Sequence, residues 1–148
     1  MATTPIPAIK TPWHLWVVGG LSLLWNLGGA FDFFMTVTKN AAYLKNVPPE
    51  MVTFCNSLPL WVVILWGLGT WCAPLGSLLL LMRRRVAVGV FLVSLVAMVL
   101  MTIHNYGFTN LREIMPGTGP LIFCAAIFVV ALLLWLYART MRRRGVLS

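Results

Sequence analysis

The chain is predicted to be an all-α, integral membrane four-helix bundle with both termini on the cytoplasmic side. Three observations lead there. Of the 148 residues, 60% are hydrophobic and only 9% are charged, against about 25% charged in a typical soluble domain. The apolar residues fall in four runs, each near the length of about 20 residues that crosses a hydrocarbon core. The basic residues cluster at the ends of those runs rather than between them. A water-soluble core of this size has no way to hide so much apolar surface, whereas lipid covers it directly. The formal net charge of +8 could suggest nucleic acid, but its placement at run ends suits anionic lipid headgroups instead.

The first span is expected from about Trp13 to Thr36, with Thr11 and Pro12 as N-cap and first-turn proline. The second runs from Pro59 to Met82, the third from Val86 to about Tyr106 and the fourth from about Leu121 to Tyr137. These spans form one domain, residues 1–148, with an outer loop over 37–58. Pro5, Pro7 and Pro12 predict an extended arm ahead of the first span. That span is too long for a cleavable signal peptide, and no A-x-A-like site follows it. Arg83-Arg84-Arg85 leaves only a tight turn between the second and third spans.

Basic residues set the orientation. Lys10, Arg83, Arg84, Arg85, Arg139, Arg142, Arg143 and Arg144 fall on one side; Lys39, Lys45 and Arg112 fall on the other. Eight against three assigns the first side to the cytoplasm. Trp13, Trp16, Trp135 and Tyr137 then mark the inner interface and Trp61 the outer. Anionic headgroups are the expected partners of Arg83, Arg84, Arg85, Arg142, Arg143 and Arg144. Over the outer loop, Pro48-Pro49-Glu50 followed by Met51, Val52 and Phe54 starts either a short interfacial helix that partly covers the bundle mouth or an ordinary ordered loop.

The first span carries most of the chemistry. At about 100° per residue, Gly19, Ser22, Trp25, Asn26, Gly29, Asp32, Phe33 and Thr36 share an arc of about 140°. Leu24, Leu27, Phe31 and Phe34 occupy the opposite, lipid-facing side. Asp32 is the one acidic residue in a span, and such a group ordinarily faces the bundle interior or water. His104 and Asn105 lie at the outer end of the third span, at the depth of Asp32. An outer polar cluster of Asp32, His104 and Asn105 is therefore expected, the alternative being an Asp32 that reaches interfacial water. Deeper, Trp25 and Asn26 lie level with Thr70 and Trp71 on the second span, where mutual hydrogen bonds would satisfy polar groups in lipid. That arrangement reads either as polar glue or as an aromatic-lined cavity for a sugar-like ligand. Gly69, Ala73 and Ser77 form a small-residue stripe suited to close packing, and Pro74 among them predicts a kink. The fourth span has no strongly polar side chain from Ile122 to Leu136.

No cofactor, metal or catalytic constellation is implied. Cys55, Cys72 and Cys124 lack paired spacing, and His14 and His104 lie at opposite ends of the bundle, where they cannot share one haem. The runs Trp25-Asn26, Gly29, Asp32, Met35-Thr36, Asn40 and Tyr43-Leu44, then Pro59, Trp61, Trp66 and Gly76-Ser77, and the closing Trp135-Leu136-Tyr137-Ala138-Arg139 resemble a family of short four-span proteobacterial inner-membrane proteins. The family is loosely labelled as sugar transporters. The resemblance covers nearly the whole chain. It implies a bacterial inner membrane and a multi-pass fold, and carries no catalytic residue. Two functions remain: a non-enzymatic accessory protein packed against membrane partners, or a small-solute carrier acting as an oligomer with an outward-facing polar and aromatic cavity.

Overall fold

The computed structural model describes residues 9–148; Pro5 and Pro7 of the expected extended arm lie outside them. Seven α-helices and no strand occur among the described residues. Helices α1 (Trp13–Val37), α4 (Leu60–Leu81), α5 (Val86–Gly107) and α7 (Gly119–Arg143) are long and apolar enough to cross a membrane. Three short helices, α2 (Ala41–Leu44), α3 (Pro49–Ser57) and α6 (Leu111–Ile114), gather at the end opposite the arginine turn. The segment beginning Pro48-Pro49-Glu50 is thus helical: Pro49 sits in the first turn, where its missing N–H leaves no bond unmade, with Glu50 beside it at the positive helix end. Pro12 takes extended backbone, with φ −67° and ψ 142°, and is itself the N-cap of α1, so it precedes the first turn and displaces Thr11 from the expected cap position.

The fourth long helix exceeds its predicted bounds at both ends. Gly119 and Pro120 open it, and Arg139 to Arg143 extend it past the apolar run. Helix geometry does not stop where hydropathy falls: Ala138 and Met141 are buried within that last stretch and anchor it.

The long helices stand side by side in the order α1, α4, α5, α7. Helix α4 has neighbours on two faces. Gly69 and Gly76 lie toward α5, where Ser94 Oγ donates to the Gly69 carbonyl at 2.6 Å. A Cβ on Gly76 would come within 2.9 Å of the Phe91 ring, so this contact requires glycine. Gly67 lies toward α1, under the Phe33 ring, which also meets Trp66 edge-on at 5.0 Å. Helix α4 runs on as α-helix through Pro74.

The core concentrates at the basic end. Leu15, Leu80, Ala87, Val88, Phe91, Leu134, Ala138 and Met141 pack with Val146 and Leu147 from the segment after α7. Two helix ends make this possible. Helix α7 closes with Gly145 at φ 72°, its N–H bonded to Arg142 O and that of Val146 to Met141 O, the paired bonds of a Schellman cap. Helix α4 closes the same way, with Arg83 at φ 58° and the Arg83 and Arg84 N–H groups bonded to Leu80 O and Leu79 O. The two reversals then pair with each other. Ser148 N–H donates to Arg83 O at 2.7 Å, and Arg85 N–H donates to Ser148 O at 3.1 Å. Arg83 Nε donates to Val146 O and Arg85 Nε to Leu147 O, both at 3.1 Å.

Leu147 is fully buried in this knot. Leu147→Ala should therefore lower the unfolding free energy by about 2–5 kcal/mol, read as a loss of thermal midpoint in detergent. Leu133→Ala, on the exposed side of α7, should leave the midpoint nearly unchanged.

Candidate functional site

Two polar groups of different character lie along α1. The first is inside the α1–α4 seam. Leu15, Gly19, Ser22 and Ala30 are the buried positions of α1, and at about 100° per residue they fall on one side of the helix. At its centre Ser22 Oγ donates to Ser77 Oγ at 3.0 Å, and Asn26 Nδ2 donates to the same oxygen at 3.1 Å. Ser77 in turn donates to Ala73 O at 3.1 Å. The hydroxyl of Ser77 thus accepts twice and donates once, its full capacity.

This differs from the expected partnership of Trp25 and Asn26 with Trp71 and Thr70. Asn26 finds Ser77, nearer the basic end. Thr70 Oγ1 bonds back to Trp66 O within its own helix. Trp25 and Trp71 are both about half exposed, at 48% and 49%, and Trp71 lines an apolar groove of about 500 Å³ between α1 and α4 with Phe33, Gly67 and Leu75. The reason is angular. Trp25 adjoins Asn26 in sequence, so it stands about 100° around the helix, and a single neighbouring helix covers only one of them.

The second group is at the loop end. Asp32 is exposed, and its carboxylate accepts from the Tyr43 hydroxyl at 2.5 Å. Helix α2 positions that phenol: Asn40 Oδ1 caps the helix by accepting from Tyr43 N–H, and Phe31 meets the Tyr43 ring edge-on at 5.9 Å. The bond from the phenol to Asp32, with smaller effects of burial and of the carboxylate's charge, pushes the Tyr43 pKa up to about 12. Cys55 on α3 has its thiol pushed up chiefly by burial and then by the same carboxylate.

The expected cluster of Asp32 with His104 and Asn105 separates into two. His104 Nδ1 lies 3.1 Å from Asn105 Oδ1, so the ring donates, and its face is met edge-on by Trp61 at 4.9 Å. Asn105 is buried, and its carbonyl accepts from Thr109. Equal depth did not bring Asp32 to His104 because α4 stands between α1 and α5. At the other end of the bundle, His14 Nδ1 and the Tyr137 hydroxyl are hydrogen-bonded at 2.5 Å, which joins α1 to α7. No group of three His, Cys, Asp or Glu side chains arranged to hold a metal occurs among the described residues.

A shallow recess of about 600 Å³ lies between α3 and α6, lined by Pro49, Glu50, Thr53, Phe54, Ser57, Asn110 and Ile114. The sequence reading missed both this recess and Tyr43 as the partner of Asp32. An aromatic hydroxyl eleven residues beyond Asp32, just past a helix stop, is the signal that would have pointed to the latter.

Removing the Ser77 hydroxyl leaves Ser22 and Asn26 without their shared acceptor. Ser77→Ala should cost about 1 kcal/mol, and adding Ser22→Ala should cost little more, which a double-mutant cycle in detergent measures. For Tyr43, absorbance titration of the protein minus Tyr43→Phe should give a phenol midpoint near 12 in place of 10.0. The raised value means that the fold favours the protonated phenol. Its stabilising contribution is complete below pH 10.0 and is lost as pH rises toward 12. Asp32→Asn should return the midpoint toward 10.0.

No protein-family model, curated protein or solved structure matches the chain.

Proposed function

We propose that the chain is a small multi-pass protein of a bacterial inner membrane, with both ends cytoplasmic, and that it acts as a non-enzymatic accessory subunit packed against other membrane components. The observation that carries this reading is where the polar groups point. Inside the α1–α4–α5 seams they bond to one another: Ser22 and Asn26 to Ser77, and Ser94 to the Gly69 carbonyl. The Phe91 ring closes on Gly76, next to Ser77 in sequence. These contacts fasten helices together and line no path. Asp32 and the Trp25 indole, which have capacity to spare, are on the outside of the bundle, where a neighbour can use them; the buried Trp135 indole N–H on α7 is the one unpartnered group inside, among the described residues.

Membrane placement is supported by the four long apolar helices and by the gathering of Arg83, Arg84, Arg85, Arg142, Arg143 and Arg144 at one end. Arg84, Arg142, Arg143 and Arg144 are exposed there and free to meet anionic headgroups. The carrier reading draws on the recess between α3 and α6, where Glu50, Thr53, Ser57 and Asn110 offer hydrogen bonds to a sugar-like solute.

Extraction from native membranes in mild detergent separates the two. A stoichiometric complex with a membrane protein, and tryptophan fluorescence unmoved by monosaccharides and disaccharides, is the expected result. A lone oligomer whose fluorescence changes saturably with a sugar would replace this reading with the carrier. In a separate experiment on intact cells, impermeant maleimide added outside should label Cys55 slowly. It should not reach a Ser148→Cys variant until the membrane is opened.

A further inference from the structure

The exposed face of α1 has a direction. At about 100° per residue, His14, Val18, Leu21, Trp25 and Asp32 fall within about 60° of one another. At the basic end this face meets α7: His14 bonds Tyr137, and Val18 packs on the core that holds Leu134 and Ala138. Toward the loop end the same face is bare. Leu21 is 64% exposed, Trp25 about half so, and a Cβ on Gly28 or Gly29 would meet nothing within 4 Å.

Helix α7 mirrors this. Along the face that begins at Tyr137, Leu134 is buried, Val130 and Ile127 are half-buried, and Phe123 is 61% exposed. The two helices share no extended packing. They are joined at the basic end and open toward the loop end, with Asp32 near the top of the opening. Its carboxylate lies five residues short of the end of α1, about 7.5 Å down the axis. Among the described residues Tyr43 is its hydrogen-bond partner. A carboxylate accepts more than one donor, so capacity remains for a second one.

We propose that this opening between α1 and α7 seats one transmembrane helix of a partner protein, and that this helix presents an arginine or lysine at the level of Asp32. The proposal rests on the accessory reading above and names what that partner must carry. Charge complementarity selects the occupant. In hydrocarbon a carboxylate is costly unless paired, and no basic side chain of this chain pairs with it among the described residues. A second copy seated symmetrically about the membrane normal would bring a second Asp32 to the same depth. The like charges would oppose assembly. A cationic side chain on a different helix meets the carboxylate with matching sign. Trp25, two turns deeper, presents a broad apolar ring for the partner's shaft.

The test uses the full chain in nanodiscs and a fluorescent model helix of leucine and alanine. One version of the helix carries a single arginine placed at the depth of Asp32; the other has leucine there. The arginine helix should bind about tenfold more tightly. Asp32→Asn should abolish the difference and Asp32→Glu should keep it. Trp25→Ala should weaken both helices, and Phe34→Ala, on the opposite side of α1, neither. Circular dichroism and thermal midpoints of each variant confirm that the bundle is intact. Equal binding of the two helices overturns the proposal, as does an arginine preference that survives Asp32→Asn. An Asp32-dependent change in tryptophan fluorescence produced by phosphatidylethanolamine, with no response to the arginine helix, also overturns it and makes the occupant a lipid. The accessory reading stands or falls separately. A native complex that survives Asp32→Asn retains that reading and rejects this site. Arginine-selective binding without any native complex retains this site and rejects that reading.

Discussion

The bundle depends on a reversal of the chain at its basic end. After α7 the backbone turns at Gly145, and Val146 and Leu147 fold back among residues of α1, α4, α5 and α7. Arg83 adopts φ 58° to receive them, which costs a non-glycine residue about 1–2 kcal/mol. Against this stand two arginine Nε donors bonded to the Val146 and Leu147 carbonyls, each about 1.5–3 kcal/mol as a charged hydrogen bond. Burial of the Leu147 side chain adds about 1.5–3 kcal/mol. The gains exceed the strain, so the αL arginine persists where glycine would be the usual choice. Without the knot, α7 has little besides α5 to lean on.

Helix α4 organises the rest. Its two working faces differ in chemistry. Toward α5 it offers glycines, and a phenylalanine ring and a serine hydroxyl close on its backbone. Toward α1 it offers the Ser77 hydroxyl, which fixes the register of the seam by holding two donors at once. Apolar contacts alone fix register poorly when the surrounding solvent is equally apolar. A fully satisfied hydroxyl between two helices restores that definition, which suits Ser22, Asn26 and Ser77 to locking rather than to binding a ligand.

Much of this was legible in the sequence, and the misses share a cause. The four long helices follow from hydropathy, and the arginine turn follows from the short gap between two apolar runs; the cap expected at Thr11 lies one residue later, at Pro12. The sequence also showed that α1 has a polar side with Ser22 and Asn26 on it, and that Leu24, Leu27, Phe31 and Phe34 lie opposite. It did not show that the polar arc is two faces. Periodicity places side chains around an axis but names no neighbour for each direction. Thus Asp32 and His104, equal in depth, are separated by α4, and Trp25 departs from Asn26. Tyr43 and the Val146–Leu147 plug escaped for a related reason. Both act from segments outside the long helices, where hydropathy carries no directional information. The plug did leave a trace: a glycine after an arginine cluster, followed by two apolar residues, is the pattern of a helix cap with an apolar contact behind it.

Closure at one end and opening at the other limits how the proposed partner helix can dock. In a membrane, Leu21 and Phe123 would gain little from exchanging lipid for another apolar helix, because the two surroundings are equally apolar. Selectivity must then come from the polar group that lipid serves badly, and on this face that group is Asp32. Its bond to Tyr43 holds the carboxylate near the top of the opening and leaves the remaining lone pairs for an incoming donor. The depth of that donor sets the vertical register of the partner, and the width allowed by the His14–Tyr137 contact sets how far down it can reach. A helix with its cation one turn too deep would have to leave Asp32 unpaired or strip Tyr43 from it, and either loss falls on a charged hydrogen bond. On the proposed site, the carboxylate that lipid would serve badly is the group that would make the face selective.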